Sequence, residues 1–112
     1  MDGCLFCKIT AGEVPSKKVF EDDMMLAFYD IRPAAPVHVL CVPKIHMDSL
    51  GDIDASNIGY VSHIFEQIPQ IAKSLGISLG YRVVSNVGEH GGQSVAHLHF
   101  HILGGKKLGR MG

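Results

Sequence analysis

The sequence predicts an α+β fold, a mainly antiparallel five-stranded sheet with one long helix and a short N-terminal helix. Three observations carry this class. Histidine and apolar residues alternate over His97-Leu98-His99-Phe100-His101-Ile102-Leu103, the period of a strand. Apolar residues recur at three and four over Ile58, Val61, Phe65, Ile68, Ala72 and Leu75, the stripe of an amphipathic helix. The other strand-like runs are joined by turns and loops, without the regular strand–helix–strand alternation of a parallel sheet.

In chain order, Cys4-Leu5-Phe6-Cys7-Lys8-Ile9 reads as the short helix, ended by Gly12 and Pro15. Residues 18–21 and 25–30 read as strands around the turn Asp22-Asp23. Pro33 and Pro36 forbid regular pairing in the loop that follows. Residues 37–42 form a third strand, closed by Pro43, with His38 on the face of Leu40 and Val42, and Cys41 as a small buried residue. The main helix is expected to begin near Asp54 as N-cap and to stop at Gly76. Pro69 removes one backbone bond and is expected to kink or break it near Gln67. His63, off the stripe, is expected to be solvated. Residues 80–86 read as a fourth strand, 87–94 as a flexible loop with Gly88, Gly91 and Gly92, and 96–103 as the histidine strand, closed by Gly104-Gly105. Residues 106–112 read as a tail over the surface or onto a partner.

A chain of 112 residues is long enough for one domain, 1–112, but not for two. A net charge of −1 lacks the basic excess of a nucleic-acid-binding surface. No run approaches the ~18 apolar residues of a membrane span. Met1-Asp2-Gly3-Cys4 does not read as a signal peptide, so a cytoplasmic location is expected. Three cysteines, two of them at Cys-x-x-Cys spacing, suit a reducing compartment. Cys-x-x-Cys alone can be half of a zinc site, a redox pair or two small apolar residues.

As a strand, the histidine run sends Leu98, Phe100 and Ile102 to a core and sets His97, His99 and His101 in a row, ~6.5–7 Å apart. A helix would scatter them. Such a row can bind a metal, or a neutral imidazole can attack phosphorus and form a covalent histidine intermediate. The glycine loop with Asn86, Gln93 and Ser94 favours the second, because backbone N–H groups and short polar side chains suit phosphate oxygens.

With Gly91-Gly92-Gln93-Ser94 ahead of it, the run resembles the signature of the histidine triad (HIT) superfamily, His-φ-His-φ-His-φ-φ with φ apolar. Its flanks resemble the Hint branch of nucleoside phosphoramidate hydrolases, over nearly the whole chain. The resemblance implies a homodimer whose sheets join, and a purine nucleotide (AMP-like) substrate cleaved at its bond to an amine. It makes His99 the nucleophile and His101 a phosphate ligand, with His38 supporting the nucleophile side. Ser94 and Asn86 would lie around the phosphate and leaving group, with Gln93 in the same stretch. Asp30 would bond the ribose hydroxyls, and Phe6, Ile9, Phe28 and Ile31 would form the purine pocket. Phe28 and Ile31 also read as core, and Asp30 as a cap of the following loop. The resemblance further implies a structural Zn2+ on Cys4, Cys7, His46 and His97, with no open position and no catalytic metal; otherwise these are reduced thiols and hydrogen-bonded imidazoles. Two departures stand out: Arg32 replaces a small polar residue, and the ending lacks the branch's tryptophan-proline. The alternatives are an Fhit-like dinucleoside polyphosphate hydrolase, a nucleotide-binding protein with vestigial catalysis, and a metalloenzyme using the triad.

Overall fold

The computed structural model describes residues 3–110, so Met1, Asp2 and the last two residues of the expected tail, Met111 and Gly112, lie outside the described residues. Helix α1 (Leu5–Thr10) precedes strands β1 (Lys18–Glu21), β2 (Met25–Tyr29) and β3 (Val37–Pro43). Helix α2 (Ile58–Ser74), β4 (Arg82–Val84) and β5 (Phe100–Gly104) follow. The five strands form one sheet in the order β1-β2-β3-β5-β4, every pair antiparallel, as the sequence predicts.

Strand alternation sorts the sheet's two faces. Met25, Ala27, Val39, Cys41, Phe100 and Ile102 meet Val61, Ile64, Ile68, Ile71 and Ala72 of α2 in the larger core. Leu26, Phe28, Leu40 and Val42 face the other way and are covered by Phe6 and Ile9 of α1. Both faces of β2 and β3 are therefore buried, and the site lies on the α1 side.

Several boundaries differ from the sequence expectation, for identifiable reasons. Asp54 does not cap α2. Its carboxylate accepts from the Ser56 N–H at 2.8 Å and from the Ser56 hydroxyl, and the helix begins one turn later with Asn57 at its N-cap. The buried stripe is rotated: Ile64 and Ile71 are buried, whereas Ile58 is 43% exposed and Phe65 48%. The Phe65 ring still reaches Phe100, at 4.9 Å between centroids. Pro69 does not break α2, which runs through it. Proline forfeits the bond to the Phe65 carbonyl, and both residues are exposed, where water can take that carbonyl. His63 is half-buried and bonded to Asp22, not free in solvent.

The histidine strand begins late, at Phe100 and not at 96. The ladder pairs Cys41 with Phe100; continued, it would set Pro43 against Leu98, and Pro43 has no N–H to give. The Leu98 N–H instead donates to the Met47 carbonyl at 2.7 Å. Gly104 belongs to β5, and β4 is shorter than residues 80–86 because the Ser85 hydroxyl, not its backbone, takes the His99 carbonyl at 2.9 Å. The 87–94 loop contains a short 3-10 turn, Glu89–Gly91. No helix among the described residues is long and apolar enough to cross a membrane.

Candidate active site and metal group

Backbone groups at the entrance to β5 decide which nitrogen of each histidine carries a proton. His99 is 3% exposed, and its Nδ1 lies 2.7 Å from the His97 carbonyl oxygen. A carbonyl only accepts, so Nδ1 must donate and neutral His99 keeps its lone pair on Nε2. The Ala34 N–H donates to His38 Nδ1 at 2.9 Å, which leaves the His38 proton on Nε2. That proton is donated to His101 Nδ1, 2.9 Å away, so neutral His101 carries its own proton on Nε2. Burial lowers the His38 pKa, against the pull of the nearby Asp30 carboxylate. His101 is pushed down to about 4, first by burial and then by His99 and His38. His38 and His101 therefore stay neutral and directional at pH 7.

The three histidines do not form one even row. His99 and His101 lie 5.0 Å apart between centroids, closer than two strand residues, with ring planes at 70°. The Phe6 ring stands edge-on to both His99, at 5.1 Å, and His97, at 5.9 Å. His97 is turned toward the cysteines.

A cavity of about 490 Å³ opens beside His99 and His101. The structure brings Phe6, Ile9, Phe28, Asp30, Ile31 and Ser94 to its wall, with the two histidines. Phe28, 4% exposed, is at once core and wall, whereas Ile31 is 93% exposed. Asp30 does cap its loop, accepting from the Arg32 N–H at 2.8 Å, and its other oxygen lies 3.5 Å from His38 Nε2. His38 stands behind His101, off the wall. Asn86 and Gln93 are not brought to the wall either. The Asn86 amide donates to the Gly91 carbonyl at 2.8 Å. Gln93 accepts from the Gly88 N–H at 2.8 Å and donates to the carbonyls of Asp48 and Val95, so both residues brace the glycine loop.

Sequence reasoning missed the wall residues Lys17 and Leu40, the Ser16 hydroxyl, buried without a partner beside the same cavity, and Ser85 behind His99. None sits in a pattern that marks it; Ser85 acts only because the sheet register sets it against the His99 carbonyl. Asp48, two residues after His46, was within reach of the sequence as a partner for that imidazole.

Cys4, Cys7, His46 and His97 bring one potential ligand atom each to within 4.8 Å of one another. Cys4 Sγ lies 3.3 Å from His97 Nδ1, and Cys7 Sγ lies 3.3 Å from His46 Nδ1 and 3.5 Å from His97 Nδ1. Ligands of a tetrahedral ion at bond lengths of 2.0–2.3 Å stand about 3.5 Å apart, so the donor set fits one. The far nitrogens are committed: His97 Nε2–H donates to the Pro43 carbonyl at 3.0 Å and His46 Nε2–H to the Asp48 carboxylate at 2.8 Å. Both Nδ1 lone pairs thus point into the group, the tautomer that a metal needs. Burial pushes His97 down to about 4, which keeps its ring neutral. Burial and the neighbouring Cys4 raise the pKa of the Cys7 thiol. Asp30, His38 and His101 form a second close group, but there the His38–His101 contact is the hydrogen bond already described.

A family model described as "Scavenger mRNA decapping enzyme C-term binding" matches residues 3–111. The purine nucleoside phosphoramidase of Escherichia coli K12 is 41% identical over 108 residues, covering 96% of this chain and 91% of the relative. A solved histidine triad protein from Clostridium difficile is 55% identical with a TM-score of 0.93, covering 100% of this chain and 97% of that one. A HIT family hydrolase from Legionella pneumophila is 45% identical with a TM-score of 0.90, covering 94% and 95%.

Proposed function

The chain belongs to the histidine triad (HIT) family and is a hydrolase, and from that premise we propose that it is a purine nucleoside phosphoramidase. In this reading one domain, 1–112, cleaves the P–N bond of AMP–amine or aminoacyl-AMP-type substrates through a nucleotidyl-histidine at His99. One observation carries the reading. The His99 Nδ1–H is held by the His97 carbonyl at 2.7 Å, which reserves the Nε2 lone pair for an electrophile in the cavity.

His99 Nε2 attacks phosphorus, the P–N bond breaks, and the amine departs with a proton. The ring gains positive charge as the P–Nε2 bond forms, and the His97 carbonyl dipole on Nδ1–H stabilises it. Water then attacks phosphorus, the P–Nε2 bond breaks and AMP leaves. Over both steps the water hydroxyl goes to phosphorus, and its proton balances the one taken by the amine. His101 Nε2–H donates to the phosphate oxygens, held in that tautomer by His38. Ser94 lies beside the phosphate and leaving group. Asn86 and Gln93 act through the glycine loop that they brace. The Asp30 oxygen that does not accept from the Arg32 N–H takes the ribose hydroxyls, and Phe6, Ile9, Phe28 and Ile31 hold the purine.

In the same reading the Cys4, Cys7, His46 and His97 group holds a structural Zn2+, because four protein ligands leave no position for water. No catalytic metal is invoked. The protein is cytoplasmic, where its cysteines stay reduced. It works as a homodimer whose two sheets join edge to edge, through one of the outer strands β1 and β4.

The test is AMP release from adenosine phosphoramidate by the wild type and by His99→Ala, both treated with a chelator. Turnover by the wild type alone supports the reading, and equal turnover by both refutes the nucleophile. If neither turns over, diadenosine polyphosphate is the next substrate, the Fhit-like alternative; nucleotide affinity without turnover on either marks vestigial catalysis.

A further inference from the structure

We infer that Phe6 and His97 are positioning residues that couple the metal group to the nucleotide cavity, so that metal and nucleotide each tighten the other's binding; this rests on the nucleotide reading above. Two routes join the sites. The first is α1. This helix has 6 residues, far below the ~12–15 at which a helix is even marginal alone, and it buries only Phe6 and Ile9. Its first turn is held by sulfur: Cys4 Sγ accepts from the Cys7 N–H at 3.3 Å, and both thiols belong to the metal group. Phe6 lies between those two cysteines. Its ring meets Phe28 at 5.6 Å and His99 at 5.1 Å, so the segment that holds the metal also supplies a cavity wall and one side of the His99 ring.

The second route is His97 itself. Its Nδ1 enters the metal group, its Nε2–H is fixed by the Pro43 carbonyl, and its own carbonyl accepts the His99 Nδ1–H. An ion that immobilises the His97 ring immobilises the main-chain oxygen that orients His99. Conversely, a base lying against Phe6 and Phe28 presses α1 onto the sheet and keeps the thiols at their ligand positions. The larger core, between α2 and the sheet, includes none of the four metal-group residues. Loss of the ion therefore loosens α1 and residues 97–99 locally and leaves the sheet folded. Linkage makes the effect reciprocal: the factor by which metal tightens nucleotide equals that by which nucleotide tightens metal.

The experiment uses the full chain, zinc-loaded and after zinc removal, with AMP as probe. AMP affinity is measured by calorimetry on both forms, and zinc affinity by chelator competition with and without saturating AMP. The expected coupling is roughly tenfold, equal in both directions. Hydrogen exchange on zinc removal should rise in α1 and at 97–99 while β2 and β3 stay protected. Phe6→Leu, which keeps an apolar wall but loses the ring contacts, should cut the coupling to roughly threefold, the part that the His97 route still carries. Equal AMP affinity in the two forms would overturn the inference. So would loss of protection throughout β2 and β3, which makes the link one of global unfolding, or full coupling retained in Phe6→Leu. A zinc-loaded chain that does not bind AMP would refute the nucleotide reading itself, and the coupling with it.

Discussion

Acidification should strip stability from this fold well before its carboxylates protonate, and His101 allows the size to be worked out. Its ring faces His99, His38 and Asp30, and its pKa falls from an ordinary 6.5 to about 4, burial being the largest cause. The unfolded chain then binds a proton at 6.5 that the folded chain refuses until about pH 4. Between those values the unfolded state carries more protons, so stability falls as pH falls. At pH 5 the difference amounts to at most about 2 kcal/mol, taken as an upper bound because the ring is only half-buried and partly screened. Chemical denaturation of the wild type and of His101→Gln at pH 7 and pH 5 isolates the contribution. Glutamine cannot titrate, and the subtraction removes the groups distant from position 101, leaving His101 together with its neighbours His38 and His99. The wild type should lose up to about 2 kcal/mol more than the variant on going from pH 7 to pH 5. Equal losses in the two proteins would refute the burial of a neutral His101 and the proton order derived from it.

Asp30→Asn should raise KM for the nucleotide by about tenfold or more, with kcat less affected, since a hydrogen bond to a charged acceptor contributes about 1.5–3 kcal/mol; steady-state kinetics check it. Ile64→Ala should lower stability by about 2–5 kcal/mol in denaturant titration without changing kcat, because the side chain is fully buried in the core on the far face of the sheet. Gly105→Ala should cost about 1–3 kcal/mol, measured the same way. Its φ is +90°, and a Cβ there would stand 3.0 Å from Pro36 Cβ and 3.3 Å from the Val37 nitrogen.

The period-2 run at 97–103 was enough to predict which of its residues enter the core, and Leu98, Phe100 and Ile102 are there. The two-faced burial of β2 and β3 follows from their near-continuous apolar runs. Other features depend on contacts that periodicity does not encode. Spacings of three and four fit Val61-Ile64-Ile68-Ile71 as well as Val61-Phe65-Ile68-Ala72, and only packing against the sheet chooses between them. The start of β5 depends on a proline in a different strand. The division of labour among His97, His99 and His101 is set by main-chain oxygens at positions 43 and 97 and by the Ala34 N–H, which have no signature in residue type. Gln93 lies in the glycine stretch, and its type suits a phosphate, but its hydrogen-bonding atoms are already taken by the backbone.

Catalysis in this reading depends on a covalent bond between phosphorus and His99 Nε2. Rapid acid-free quenching of wild-type protein during turnover of adenosine phosphoramidate, followed by intact and peptide mass spectrometry, tests it most directly. A transient increase of one adenylyl group that maps to His99 and is absent from His99→Ala is expected. Turnover with no adduct at any quench time, or an adduct on His97 or His101 instead, would contradict it.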